Sequence, residues 1–133
     1  FFETNGIRIV TELNLDDYYY RVDLAVVRVD DEYKLNYTEP IAIVEFKFKN
    51  SSCAPDIITS DIKKFQQLCK DPAFASTHLY LAILHEEYYN RADVSWLNGR
   101  QWRWARTRLA ELSGFFDADT DELVMTVVSG EDK

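Results

Sequence analysis

The stretch IAIVEFKFK, Ile41 to Lys49, decides how this chain is read. Its β-branched and aromatic residues mark a strand, and the two-residue period of a strand places Ile41, Ile43, Glu45, Lys47 and Lys49 on one face, with Ala42, Val44, Phe46 and Phe48 on the other. A solvent-facing strand would be polar along its length and a core-facing one apolar throughout. A face that turns from isoleucine to Glu-x-Lys partway along predicts a cleft at the strand's end, with Glu45 and Lys47 projecting side by side.

Upstream, Ile7 to Leu15 (IRIVTELNL) alternates and Tyr19 to Val29 (YYRVDLAVVRV) is rich in β-branched residues, so both read as strands. An antiparallel hairpin across the loop Asp30–Pro40, pairing Val29 with Ile41, would set Asp23 opposite Lys47 with Glu45 as the diagonal neighbour. Downstream, Asp56 to Lys70 spaces Ile58, Ile62, Phe65, Leu68 and Cys69 as an amphipathic helix does. His78 to His85 (HLYLAILH) is apolar enough for a strand covered on both faces. Arg100 to Leu112, with Trp102, Ala105, Leu109 and Leu112 on one stripe, predicts a second helix, and Glu122 to Val128 a last strand. The order β-β-β-α-β-α-β implies an α/β fold, a mixed central sheet flanked by helices, in a single domain spanning residues 1–133.

Two carboxylates converging at a sheet edge suit a hard, oxygen-loving cation such as Mg²⁺ or Mn²⁺, which keeps waters and takes one or two protein carboxylates. A lysine beside them could orient or deprotonate an attacking water and offset phosphate charge.

At these residues the sequence resembles the PD-(D/E)XK, or restriction endonuclease-like, nuclease superfamily. The resemblance is carried by RVDLAVV, IVEFKF, the helix DIITSDIKKFQQL and the strand HLYLAIL, and covers about two-thirds of the chain, Ile7 to His85. It implies a restriction endonuclease-like core and a metal-dependent nuclease that hydrolyses DNA phosphodiester bonds. Asp23, Glu45 and the Phe46 carbonyl would bind the metal, and Lys47 would be the catalytic lysine. Glu12 lies where related sequences sometimes carry an additional acid, and Lys64 where they place a residue that positions water or phosphate. The family's first helix is not evident before Ile7, which suggests a fragment of a longer chain or a member without that helix. Members of this kind often act as dimers. Some keep the fold without cleavage, so a silent domain that binds nucleic acid or a protein is the alternative, and a plain Glu45–Lys47 salt bridge in an unrelated α/β fold is a third reading.

The net charge of −8 disfavours indiscriminate adhesion to nucleic acid, but residues 91–110 carry +4 while 1–90 and 111–133 carry −6 each. Within the basic segment, WLNGRQWRWARTR interleaves aromatics with Arg103 and Arg106, which together with Lys49 and Lys64 are candidate phosphate contacts. A helix with Trp102 and Leu109 in the core and its arginines paired to acids is the plainer reading. Cys53 and Cys69 show no metal-site spacing and cannot build a disulfide framework, no apolar run is long enough to span a bilayer, and a reduced, cytoplasmic chain is expected. His78 and His85 read as strand-end residues rather than ligands, and Ser51, Ser52 and Cys53 have no base partner for nucleophilic catalysis.

Overall fold

Alternation at the N-terminal end produces an antiparallel pair. In a computed structural model that describes residues 6–15, 20–29, 35–36, 40–52, 54, 56–89, 95–97, 103–105 and 107–129, β1 (Ile7–Leu15) pairs with β2 (Tyr20–Val29). A two-residue strand β3 (Leu35–Asn36) adds to β2. The decisive stretch forms β4 (Ala42–Lys49), antiparallel to β2. The chain then crosses through helix α1 (Asp56–Lys70) to β5 (His78–Tyr89), parallel to β4. β6 (Leu109–Asp117) continues the parallel run, and β7 (Leu123–Ser129) closes it antiparallel. The sheet order is β1-β2-β4-β5-β6-β7, a mixed sheet of the α/β kind.

Helix α1 forms because Ile58, Ile62, Phe65 and Leu68 fall on one stripe, with Asp56 in its first turn and Lys70 in its last to complement the helix dipole. It ends where Asp71 precedes Pro72, and the Asp71 carboxylate accepts the Ala73 N–H at 2.7 Å to cap a short 3-10 turn. Its stripe packs with Ile43, Leu79, Leu81 and Ile83, and burying those four helix side chains contributes roughly 6–12 kcal/mol. The opposite face of the sheet carries Phe46, Phe48, Leu84, Tyr88, Met125 and Val127, all exposed. No helix among the described residues is long and apolar enough to cross a membrane.

Three expectations are corrected. The helix expected over Arg100 to Leu112 gives way at its C-terminal half to strand β6: residues 103–105 make one helical turn, Arg100 and Trp102 lie outside the described residues, and Leu109 onward pairs with β5. Leu109, Glu111, Ser113 and Phe115 are all buried, a two-residue period whose polar members disguise it. Strand β5 runs four residues past His85, which is therefore a buried mid-strand residue and not a strand end. The β2–β4 register also differs: Leu24 faces Val44 and Ala25 faces Ile43, a two-residue slide from the expected pairing. A slide of two preserves the faces, so Asp23 stays beside the site but comes level with Glu45 rather than Lys47.

β1 and β2 share an irregularity at the same level. Glu12 has φ 53°, in the left-handed region, and the β1–β2 ladder skips Glu12 between the pairs Thr11–Leu24 and Leu13–Val22. Val10, Ala25 and Val27 face the core on one side of the break, and Leu13, Leu15 and Val22 on the other. The strand pair thus reverses its pleat at Glu12 and at Asp23 across from it.

Candidate active site

The β2–β4 ladder ends at Leu24–Val44, so beyond it the two backbones no longer pair directly. The Asp23 side chain takes over: its Oδ2 accepts the Phe46 N–H at 2.8 Å. This holds the carboxylate of β2 against the backbone of β4, between Glu45 and Lys47. Glu45 and Lys47 share the helix-facing side of β4, as their spacing predicts, and α1 covers them.

The Lys47 ammonium is the hub. Its Nζ lies 2.8 Å from Asp61 Oδ2, 3.8 Å from Asp23 Oδ2 and 4.0 Å from Glu45 Oε2, and donates to the Phe46 carbonyl at 3.1 Å. A second ammonium closes the network from α1: Lys64 Nζ donates to Glu45 Oε1 at 2.7 Å and to the Arg21 carbonyl at 3.3 Å, and lies 3.2 Å from Asp61 Oδ1. Three carboxylates and two ammonium groups therefore interlock at the end of the parallel strand β4, the end at which open α/β sheets form ligand crevices.

Burial sets the electrostatics. Glu45 is 1% exposed, and desolvation pushes its carboxyl from the ordinary 4.5 to about 7. The repulsion of Asp61 and Asp23 adds to this, while the hydrogen bond and charge of Lys64 pull the other way without winning. For Lys47, burial favours the neutral amine, but the bond to Asp61 and the fields of Asp61, Asp23 and Glu45 together outweigh it and hold the amine above its usual value. Asp23 is the member open to solvent, with 44% of its side chain exposed.

Asp23 Oδ2, Glu45 Oε2 and the Phe46 carbonyl each lie no more than 4.0 Å from Lys47 Nζ, as does the nearer Asp61 Oδ2. Two carboxylates, a carbonyl and open solvent on the Asp23 side are the kinds of oxygen donor that Mg²⁺ or Mn²⁺ takes, such ions completing their shells with water. Among the described residues no group of three or more His, Cys, Asp and Glu has metal-holding geometry.

The other expected residues are placed as follows. Lys64 lies inside the network. Glu12, with its side chain 68% exposed, pairs with Arg21 at 3.6 Å. Lys49 is buried at the end of β4 and donates to the Asn50 carbonyl at 2.7 Å. Arg103 is exposed on the helical turn, and Arg106 lies outside the described residues. From the sequence, Asp61 falls with Lys63, Lys64 and Gln67 on the polar face of α1, where the resemblance places residues that position water or phosphate and a solvated outer face is the plainer expectation; the structure instead buries it in the cluster. Its signal was present: Asp61 stands three residues after Ile58 and one before Ile62, an acid inside the apolar stripe of α1, where an acid needs a buried partner.

Against protein-family models, curated proteins and solved structures, this chain gave no match.

Proposed function

We propose that the chain is a metal-dependent nuclease with a restriction endonuclease-like core, hydrolysing phosphodiester bonds of DNA. The observation that carries this reading is the convergence of Asp23 Oδ2, Glu45 Oε2 and the Phe46 carbonyl around the Lys47 ammonium. The element order agrees with it: an Asp-bearing strand, the Glu-x-Lys strand, a helix packed on the sheet, then a parallel strand.

Asp23, Glu45 and the Phe46 carbonyl would hold Mg²⁺ or Mn²⁺, and a cation there would supply a bound water of lowered pKa and polarise a phosphoryl oxygen. The chain's own residues do the rest. Asp23, tied to the Phe46 N–H, fixes the spacing of the two strands that bear the acids. Lys47 supplies positive charge next to the acids and a donor to orient water or a phosphate oxygen. Lys64 donates to the Glu45 carboxylate from the helix side. The basic segment around Arg103 and Arg106 supplies a surface for the phosphate backbone, and two strands of duplex DNA are cut by a pair of chains.

The test is cleavage of plasmid and single-stranded DNA with Mg²⁺ or Mn²⁺. Wild type is expected to cut, with activity reduced a hundredfold or more in Asp23→Ala, Glu45→Ala and Lys47→Ala. If all four proteins behave alike, the enzyme reading is lost. One observation favours the silent binding domain instead: Lys64 and Lys47 already neutralise Glu45 and Asp61. A Mn²⁺ titration separates the two, since the silent domain has no site that disappears in Glu45→Ala.

A further inference from the structure

Asp61 is the carboxylate of the network that the nuclease reading leaves without a role. It is 5% exposed, projects from α1 rather than from the sheet, and makes the shortest contact of the Lys47 ammonium, 2.8 Å against 3.8 Å to Asp23 and 4.0 Å to Glu45. Its other oxygen lies 3.2 Å from Lys64 Nζ. Lys47, on the strand, is thereby drawn toward the helix, while Lys64, on the helix, reaches across to Glu45.

The three oxygens offered to a cation also surround the Lys47 ammonium, together with the nearer Asp61 Oδ2. A lysine and a divalent cation cannot both rest on them, because an ammonium is itself a cation with three donors that suit carboxylates. Where the ammonium sits therefore decides whether the oxygens are open. We propose that Asp61 is a positioning residue that holds the Lys47 ammonium off Asp23 and Glu45, so that these oxygens accept Mg²⁺ or Mn²⁺ while the lysine stays beside the bound water. The inference rests on the nuclease reading of the same site. It adds that the helix, not the sheet, decides the contest between lysine and metal.

Without the Asp61 charge, Lys47 loses its closest anion and falls onto Asp23 and Glu45, where it competes with the cation. Removing Lys47 as well abolishes the competition. This differs from a direct ligand role for Asp61, in which deleting Lys47 would restore nothing, and from a purely structural role, in which metal affinity would follow stability.

The experiment is Mn²⁺ binding to the full chain, by calorimetry and by the electron paramagnetic resonance of free Mn²⁺, with circular dichroism to verify folding. In Asp61→Asn the affinity is expected to fall about tenfold or more, the scale of losing a charge-assisted hydrogen bond. The double variant Asp61→Asn, Lys47→Met is expected to regain wild-type affinity or better. Asp61→Glu, which keeps the charge, is expected to bind within about threefold of wild type, and Asp61→Ser, which serves if the Asn variant fails to fold, to lose affinity as Asp61→Asn does. If Asp61→Asn binds Mn²⁺ as wild type does, or if Lys47→Met does not rescue it, the positioning role is overturned while the metal site stands. If wild type binds no Mn²⁺, the nuclease reading falls and takes this inference with it.

Discussion

Replacing Glu45 by Gln removes one ionisable group from the centre of the network and nearly preserves its shape. In the folded chain that carboxyl titrates near 7, against 4.5 as its ordinary value, chiefly because it is buried. A folded-state pKa raised above the unfolded one means that the folded chain binds the proton more tightly. The resulting stability is fully present below pH 4.5, is lost as pH rises toward 7, and is constant above that. The full span is about 3 kcal/mol, from about 1.4 kcal/mol per unit. Glu45 is 1% exposed, so solvent screening does little to reduce it. Urea denaturation in EDTA at pH 5, 6, 7 and 8 measures the effect, the chelator keeping divalent cations from holding the carboxylate ionised. Between pH 5 and 8, wild type is expected to lose about 2–3 kcal/mol relative to Glu45→Gln. His85 shifts in the opposite sense, its imidazole held below the usual value by burial and by Lys49, and destabilises the fold as pH drops through the mid-6 range. That contribution is common to both proteins and cancels in the difference. A flat difference, or one that grows in favour of wild type with rising pH, refutes the assignment of a protonated, buried Glu45.

Three further outcomes follow from the packing. Phe65, fully buried between α1 and the sheet, is expected to cost about 3–5 kcal/mol when cut to Ala, read as a lower urea midpoint with an unchanged slope. Arg108 donates to the carbonyls of Cys69, Phe74 and Thr77, joining the end of α1 to the turn before β5; Arg108→Lys, whose single ammonium cannot span all three, is expected to lose about 1–3 kcal/mol by thermal denaturation. Glu12 sits at φ 53°, so Glu12→Gly is expected to leave stability unchanged or raise it by up to about 1 kcal/mol, whereas Val10→Gly in the same strand lowers it. Equal losses at the two positions would show that Glu12 is not strained.

The parts of the fold legible in the sequence are those where one period dominates. IAIVEFKFK and the α1 stripe each obey a single repeat, and both elements and faces came out as read. The register of β2 on β4 was not legible, because the connection from Asp30 to Pro40 is too long for turn geometry to fix it and a two-residue slide costs no change of face. Strand β6 was hidden by coincidence: Ala105, Leu109 and Leu112 fall at helical spacing, while Glu111 and Ser113 put polar residues on the face that is buried. Glu111 is satisfied there by the Trp96 N–H and the Ser95 hydroxyl, partners that no local pattern announces. The pleat reversal at Glu12 is invisible to alternation for the same reason, since Ile7, Ile9, Leu13 and Leu15 look like one face and are two. At the site, the side-by-side placement of Glu45 and Lys47 was legible from strand periodicity, whereas Asp23 came from the family resemblance and an expected register that is two residues off. Asp61 required seeing that a helix and a strand present opposite charges across the core.

The parallel ladders β4–β5 and β5–β6 join segments separated by whole crossovers, whereas β1–β2 and β6–β7 are near neighbours along the chain. Loop closure is therefore cheap at the two edges and expensive in the middle. The network of Asp23, Glu45, Lys47, Asp61 and Lys64 draws on β2, β4 and α1, and the buried charges on it have no partners until those three have docked. During refolding the edge hairpins can form while the charged centre is still hydrated and apart. The pairing of these charges therefore reports the docking of β2, β4 and α1, and a chain stalled before it would be structured at its margins with its charged centre still open.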